Sequence, residues 1–222
     1  MFAISGKLLF AASGVGAYRP LRPGDVQPWE NIDEARKAYA IALKDGTEDL
    51  PLRTATIWQQ LILKRWQGLY QLHPETVMQA VEVEHGGVTT AYFAGRSGLA
   101  RPLQLVQSRV SFALSAAQPF SAISEISSEC WNRMCALGTL DVAKEYLQQS
   151  TDRARREWEQ WTSKAGPYSG PEGKVRAAIR VVDLTIAYHK GDQPVGPPID
   201  AAEITADGSI HWVARKDQCP AE

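Results

Sequence analysis

The chain has 222 residues, of which 44% are hydrophobic and 22% are charged, and its formal net charge is −1. This balance excludes an intrinsically disordered chain, and it lacks the basic excess of a general nucleic-acid binder. No apolar run approaches the roughly 20 residues of a transmembrane helix, so we expect no membrane span. The length suits one globular domain, residues 1–222, with residues 1–100 and 101–222 as candidate pseudo-repeat halves.

The N-terminal stretch GKLLFAASGVGAYRPLRPGD has some features of an export signal. Residues 1–17 would form that signal, but the apolar run Leu8–Ala12 is shorter than the roughly 7 to 15 residues such a region needs. A two-residue turn at Gly6-Lys7 instead predicts a β-hairpin whose first strand is Phe2–Ser5. We therefore expect a cytoplasmic protein, with export as the alternative.

The same stretch contains Gly14 and Gly16, which invite comparison with a phosphate-binding loop. Such a loop aims the N-terminus of a helix at the phosphates. Arg19 stands where a third glycine would fall, and Pro20 and Pro23 follow where the helix should begin. Because the required helix is absent from the pattern, we assign no nucleotide and no other cofactor.

The spacing of apolar residues predicts two helices and then a hairpin in the first half of the chain, at residues 31–44, 54–72 and 77–94. Asn31 followed by Glu34 is typical of a capping box at the start of the first helix. Pro74 ends the second helix, and the Gly86-Gly87 dipeptide marks the turn of the hairpin.

The second half predicts a strand at 103–114, helices at 121–137 and 139–161, and strands at 177–189 and on both sides of Asp207-Gly208. Cys130 would lie on the apolar stripe of the first of these helices. Each half then approximates a β-α-α-β-β unit, which would be doubled in the whole chain. The fold class is α+β, a mostly antiparallel sheet covered by about four helices.

Four of the seven tryptophans fall on the apolar faces of predicted helices. A large aromatic side chain on such a face is more often part of the core than a ligand contact. We therefore expect Trp58, Trp66, Trp158 and Trp161 to be buried. Trp29 differs, because it lies in a Pro-rich approach to the first helix, and we expect it to be an exposed anchor.

No pattern of catalytic or metal-binding residues stands out. The three cysteines and four histidines show no metal-ligand spacing, and no serine lies in a nucleophile elbow. The nearest approach to a cluster is Glu82, Glu84 and His85, at the tip of the predicted hairpin. On a strand the two carboxylates would share one face while His85 points to the other. We assign no catalytic residue and no metal site.

Charge carries the clearest functional signal. Residues 25–49 hold seven acidic and three basic side chains, a local excess of four negative charges. Such a segment can form an acidic docking surface for a partner with a basic surface. The predicted contact residues are Trp29, Asp33, Glu34, Glu48 and Asp49.

These observations favour a protein that binds another protein, and not an enzyme. A bacterial immunity protein that neutralises a toxin such as a nuclease would use an acidic surface of this kind. We expect no direct binding to nucleic acid and no membrane partner. The alternatives are a hydrolase-like enzyme with a dispersed site near Glu82, Glu84 and His85, or an assembly component of a phage or secretion machine.

Overall fold

The computed structural model describes residues 1–20, 26–83, 87–97, 103–113, 119–126, 130–131, 134–135, 145–146, 150–165, 171–188 and 201–214. The chain divides into two compact units, residues 1–127 with 204–210 and residues 128–203 with 211–222. The division falls at residue 127, whereas the predicted halves met at residue 100. The single-domain assignment stays a prediction.

The first unit is built on a five-stranded sheet in which every pair of neighbours is antiparallel. Its strands are β1 (Phe2–Ser5), β2 (Leu8–Gly14), β5 (Gly87–Gly95), β6 (Gln104–Phe112) and β7 (Phe120–Ile126), in the spatial order β1-β2-β5-β6-β7. Two short strands, β3 (Ala17–Tyr18) and β4 (Trp29–Glu30), pair with each other outside this sheet. The predicted N-terminal hairpin is therefore confirmed, as is the strand predicted at 103–114.

Three helices separate β4 from β5 along the chain: α1 (Asn31–Lys44), α2 (Leu50–Leu72) and α3 (Pro74–Val83). The long helix α2 packs on α1 and on strands β5, β6 and β7. It begins four residues before the predicted start, because the side chain of Asp49 accepts a hydrogen bond from the Leu52 amide and Pro51 occupies the first turn. The α+β class with an antiparallel sheet is confirmed.

The second unit contains an antiparallel pair of two-residue strands, β8 (Cys130–Trp131) and β9 (Met134–Cys135). It also contains the helices α4 (Asp152–Ala165) and α5 (Pro171–Tyr188). Its core holds Tyr146, Ala154, Trp158, Ala177 and Val181. A final hairpin, β10 (Ala201–Ile204) with β11 (Ile210–Ala214), has residues 204–210 assigned to the first unit. It turns at Asp207-Gly208 as predicted, and Gly208 adopts a φ of 85°. None of the helices described here is long and apolar enough to cross a membrane.

Three predicted segments of secondary structure are wrong. Residues 77–83, expected to form the first strand of the hairpin at 77–94, lie in α3, because Pro74 starts a helix as readily as it ends one. Residues 121–126, expected to begin the helix at 121–137, lie in β7. Residues 177–188, expected to be a strand, lie in α5, where Ala177, Val181 and Thr185 are buried at a spacing of four. This helical burial outweighs the strand propensity of a stretch rich in β-branched residues.

The element order therefore differs from the doubled β-α-α-β-β arrangement. Cys130 lies in a strand rather than in a helix. The helix predicted at 139–161 is observed over its C-terminal part as α4, while its predicted start at Thr139 lies outside the described residues.

The core of the first unit lies between α2 and the sheet. Trp58 is fully buried, its ring centroid is 5.9 Å from that of Phe93 and 6.2 Å from that of Phe10, and its Nε1 donates a hydrogen bond to the Asn31 carbonyl. Trp66 is likewise buried against Phe120. The predicted burial of Trp58, Trp66 and Trp158 is confirmed, and Trp161 is half-buried.

Trp66→Ala should lower the free energy of unfolding by about 3 to 5 kcal/mol, because it leaves a large cavity between helix and sheet. Leu72→Ala on the same helix is the matched control, since Leu72 is exposed, and it should change stability by less than about 0.5 kcal/mol. Urea denaturation followed by circular dichroism measures both values. Equal effects of the two substitutions would contradict the assigned core.

Candidate functional site

Trp29 is not the exposed anchor that the sequence predicts, because only 4% of the residue is exposed. The pairing of β3 with β4 sets Trp29 opposite Tyr18, and their rings stack with centroids 4.9 Å apart. The ring of Trp66 packs edge-on against the ring of Trp29, with the ring centroids 6.0 Å apart. The Trp29 Nε1 has no hydrogen-bond partner among the described residues, so apolar packing holds this ring. The short strand that turns it inward has no clear sequence signature.

Glu34 is also buried, so it does not contribute to an exposed acidic surface. It lies on the inward face of α1, where Arg65 from α2 approaches its carboxylate at 2.8 Å and Lys37 approaches at 3.0 Å. Burial raises the pKa of Glu34, but the hydrogen bonds and charges of Lys37 and Arg65 outweigh it and hold the pKa below its usual value. The carboxylate is an ionic link between the two helices.

The predicted capping box is absent. Asn31 is the first residue of α1, and its Nδ2 donates to the carbonyl of Val15 at 2.9 Å. Glu30 occupies the N-cap position without a side-chain hydrogen bond to the helix. Asn31 thus links α1 to Val15, the residue that follows β2, and Glu34 links α1 to α2.

Asp49 has a structural role in the first unit. One carboxylate oxygen accepts from the Leu52 amide at 3.3 Å, and the other accepts from Gln104 Nε2 at 3.0 Å. Both oxygens therefore bind within the fold, and the side chain caps α2.

The remaining acids of residues 25–49 are largely paired with cations. Asp33 contacts Arg36 at 3.4 Å, Glu30 contacts Arg19 at 3.1 Å, and Asp45 contacts Arg53 at 2.6 Å. Arg19, Arg53 and the Arg65 that pairs with Glu34 all come from outside the segment. The surface is therefore less acidic than the local count of charges indicates.

The exposed face of α1 is in fact basic. The exposed residues of α1 are Asp33, Arg36, Lys37, Ala40, Ile41, Leu43 and Lys44. Three cations thus stand beside one acid, because the other acid of the helix, Glu34, is turned inward. An acidic docking surface along the helix is not what the geometry provides.

One small surface does combine exposed apolar and acidic side chains, at the connection between α1 and α2. We call it the helix corner and define it as Leu43, Lys44, Asp45, Glu48 and Arg53. Leu43 is 53% exposed, and the four charged residues of the helix corner are also exposed. Protein-binding surfaces commonly combine exposed apolar side chains with polar and charged ones.

The alternative catalytic site was predicted at the tip of a hairpin, but its residue Glu82 lies in helix α3. Glu82 is exposed near the end of α3, while Glu84 and His85 lie outside the described residues. In the part of the chain that the structure describes, no three His, Cys, Asp or Glu side chains stand close enough to hold a metal ion.

The sequence analysis missed a buried tyrosine in the second unit. Tyr146 is 5% exposed, and its hydroxyl donates a hydrogen bond to the Glu157 carboxylate. Burial, together with the charge and hydrogen bond of Glu157, raises the pKa of Tyr146 to about 12. The phenol is therefore held in its protonated form as a donor. Eleven residues separate the two side chains, and no motif spacing signals the contact.

No family model, curated protein or solved structure matches this chain. Its function must therefore be inferred from the described side chains.

Glu34→Gln should lower the free energy of unfolding at pH 7 by about 1 to 3 kcal/mol, because Arg65 loses its buried ionic partner. The lowered pKa of Glu34 means that its contribution is complete above the ordinary carboxyl pKa and is lost as pH falls through the folded value. The difference between the two proteins should therefore shrink below about pH 4. Chemical denaturation across pH measures this, with exposed Asp33→Asn as the control.

A pH-independent difference between Glu34→Gln and the parent protein would contradict the assigned charge interaction. So would an equally large effect of Asp33→Asn, whose ion pair with Arg36 is exposed and should contribute little.

Proposed function

We propose that this protein binds another protein at the helix corner and inhibits it, in the manner of a bacterial immunity protein that neutralises a toxin in the cytoplasm. The observation that supports the proposal is the exposure of Leu43 beside Lys44 and Asp45 in the chain, in a segment whose charged side chains are also exposed. Leu43 takes the place of Trp29 as the apolar anchor, and Asp45 and Glu48 take the place of the buried Glu34.

The charge pattern of the helix corner suits a partner with basic side chains. Asp45 is paired with Arg53, and the side chains are 37% and 46% exposed. An exposed pair of this kind contributes little to stability, so a partner cation can share or replace Arg53 without a large cost to the fold. Glu48, three residues after Asp45 in the chain, is a second exposed acid.

Asp33 belongs to a different part of the surface. It lies twelve residues before Asp45, which is about 18 Å along a helix with a rise of 1.5 Å per residue. That distance exceeds the Debye length of about 8 Å at physiological salt, so Asp33 contributes little to attraction at the corner. It therefore offers a matched control for charge reversal.

The parent protein should first be used to capture its partner from the native host, and the isolated partner should then be used for binding kinetics. Leu43→Ala should raise the dissociation rate constant about tenfold, as the loss of a central apolar contact does. Asp45→Lys combined with Glu48→Lys should lower the association rate constant about tenfold at low salt. Asp33→Lys should change both constants by less than about twofold.

Inhibition has its own test. If the partner is a toxin, its expression alone should stop growth of a bacterial host, and co-expression of the parent protein should restore growth. Leu43→Asp should fail to restore it, whereas Asp33→Lys should succeed. Rate constants and growth rescue that are unaffected by the corner substitutions would refute the proposal.

A further inference from the structure

Strand β7 ends the sheet of the first unit and leaves one edge without a strand partner among the described residues. It pairs with β6 over seven consecutive residues, from Phe120 opposite Phe112 to Ile126 opposite Val106. An edge strand carries a row of backbone N–H and C=O groups that can pair with another strand. A strand of seven residues with an uninterrupted register is a template for such pairing.

The opposite edge is protected in ways that β7 is not. Strand β1 has four residues, and its register with β2 is irregular between Ala3 and Ser5. The amide of Ile210 also donates to the Gly6 carbonyl at 3.1 Å, next to the end of β1. By contrast, residues 120–126, FSAISEI, contain no proline, lysine or arginine, the residues that usually discourage edge pairing.

The side chains of β7 alternate between two environments. Ser124 lies on the side of α2, because its hydroxyl donates to Gln59 on that helix. Ser121, Ile123 and Glu125 occupy the opposite face of the sheet and are all exposed, Ile123 by 56%. An exposed β-branched residue in the middle of an open edge strand is a site for a cross-strand contact.

We propose that a second copy of this chain pairs with β7, antiparallel and about a two-fold axis through Ile123. This register places Ile123 directly opposite Ile123 of the other copy. It also places Ser121 opposite Glu125 of the other copy, so that a hydroxyl donates to a carboxylate twice in the dimer. A contact of this kind is isologous, as in most homodimers.

Other registers lack this complementarity. An axis through Ser124 sets Ile123 against Glu125, and an axis through Glu125 sets two carboxylates against each other, which is destabilising. The self-matching pattern therefore favours a copy of the chain over an unrelated strand. Because a single strand edge buries less area than a stable dimer needs, the dissociation constant should be on the order of micromolar.

Disulfide cross-linking of the full-length protein tests the register. Ile123→Cys brings the substituted position within about 5 Å of its copy, which a disulfide can span. Ser121→Cys is the matched control on the same strand and face, but it lies about 14 Å from its copy. Mild oxidation should link the first variant and not the second, and mass spectrometry should find residue 123 on both sides of the link.

Sedimentation velocity at increasing concentration measures the association itself. The parent protein should shift from monomer to dimer. Ile123→Lys should weaken dimerisation by at least about tenfold, because it places two positive charges opposite each other across the two-fold axis. Leu43→Lys, an equally exposed substitution at the helix corner, should leave dimerisation unchanged. Circular dichroism confirms that each variant folds.

A parent protein that stays monomeric at every concentration would overturn the inference. Equal cross-linking of Ile123→Cys and Ser121→Cys, or of neither, would do the same. Because Leu43 and Ile123 lie on different elements, loss of partner binding and loss of dimerisation are separate results, and one proposal can fail without the other.

Discussion

The first unit depends on the contact between helix α2 and the sheet, and Trp58 is at its centre. The ring packs against Phe10 and Phe93 from two neighbouring strands, while its Nε1 donates to the Asn31 carbonyl at the start of α1. One side chain thus joins the sheet, α2 and α1. Removal of water from this ring and its neighbours supplies the favourable free energy, and the hydrogen bond satisfies the polar atom that burial would otherwise leave unpaired.

Charge in this protein is organised by the packing of the helices. Arg65 on α2 reaches Glu34 on the inward face of α1, so an acid that is adjacent to Asp33 in sequence is removed from the surface. Arg53 likewise pairs with Asp45 across the helix connection. What remains exposed is a basic helix face and a small mixed-charge corner around Leu43. The proposed partner site is therefore smaller than the acidic segment and centred at one end of it.

The two proposed contacts use different physical chemistry. At the helix corner, an exposed aliphatic side chain and exchangeable ion pairs suit a partner of complementary charge. At β7, an edge with no strand partner among the described residues and the self-matching pattern around Ile123 suit another copy of the same strand. A dimer formed at β7 would present two helix corners, which would raise the avidity for a partner that has two sites.

Local patterns were sufficient for part of the fold. The N-terminal hairpin, α1, most of α2 and the turn at Asp207-Gly208 were predicted because turn residues and apolar periodicity act over a few residues. Two of the three stretches that were assigned to the wrong class, 121–126 and 177–188, have apolar residues at spacings that suit both helix and strand. The choice between helix and strand there depends on which residues find a partner, β6 for the first and the core around Trp158 for the second.

The sequence by itself determined the α+β class, the burial of most helix-face tryptophans and the acidic count of residues 25–49. Only the tertiary structure decided that Trp29 and Glu34 are buried and that Asp49 is a helix cap. Periodicity shows which side of one element is apolar, but it carries no information about residues far away in the chain. The partners Tyr18 and Arg65, which lie 11 and 31 residues from Trp29 and Glu34, become neighbours only when the strands pair and the helices pack.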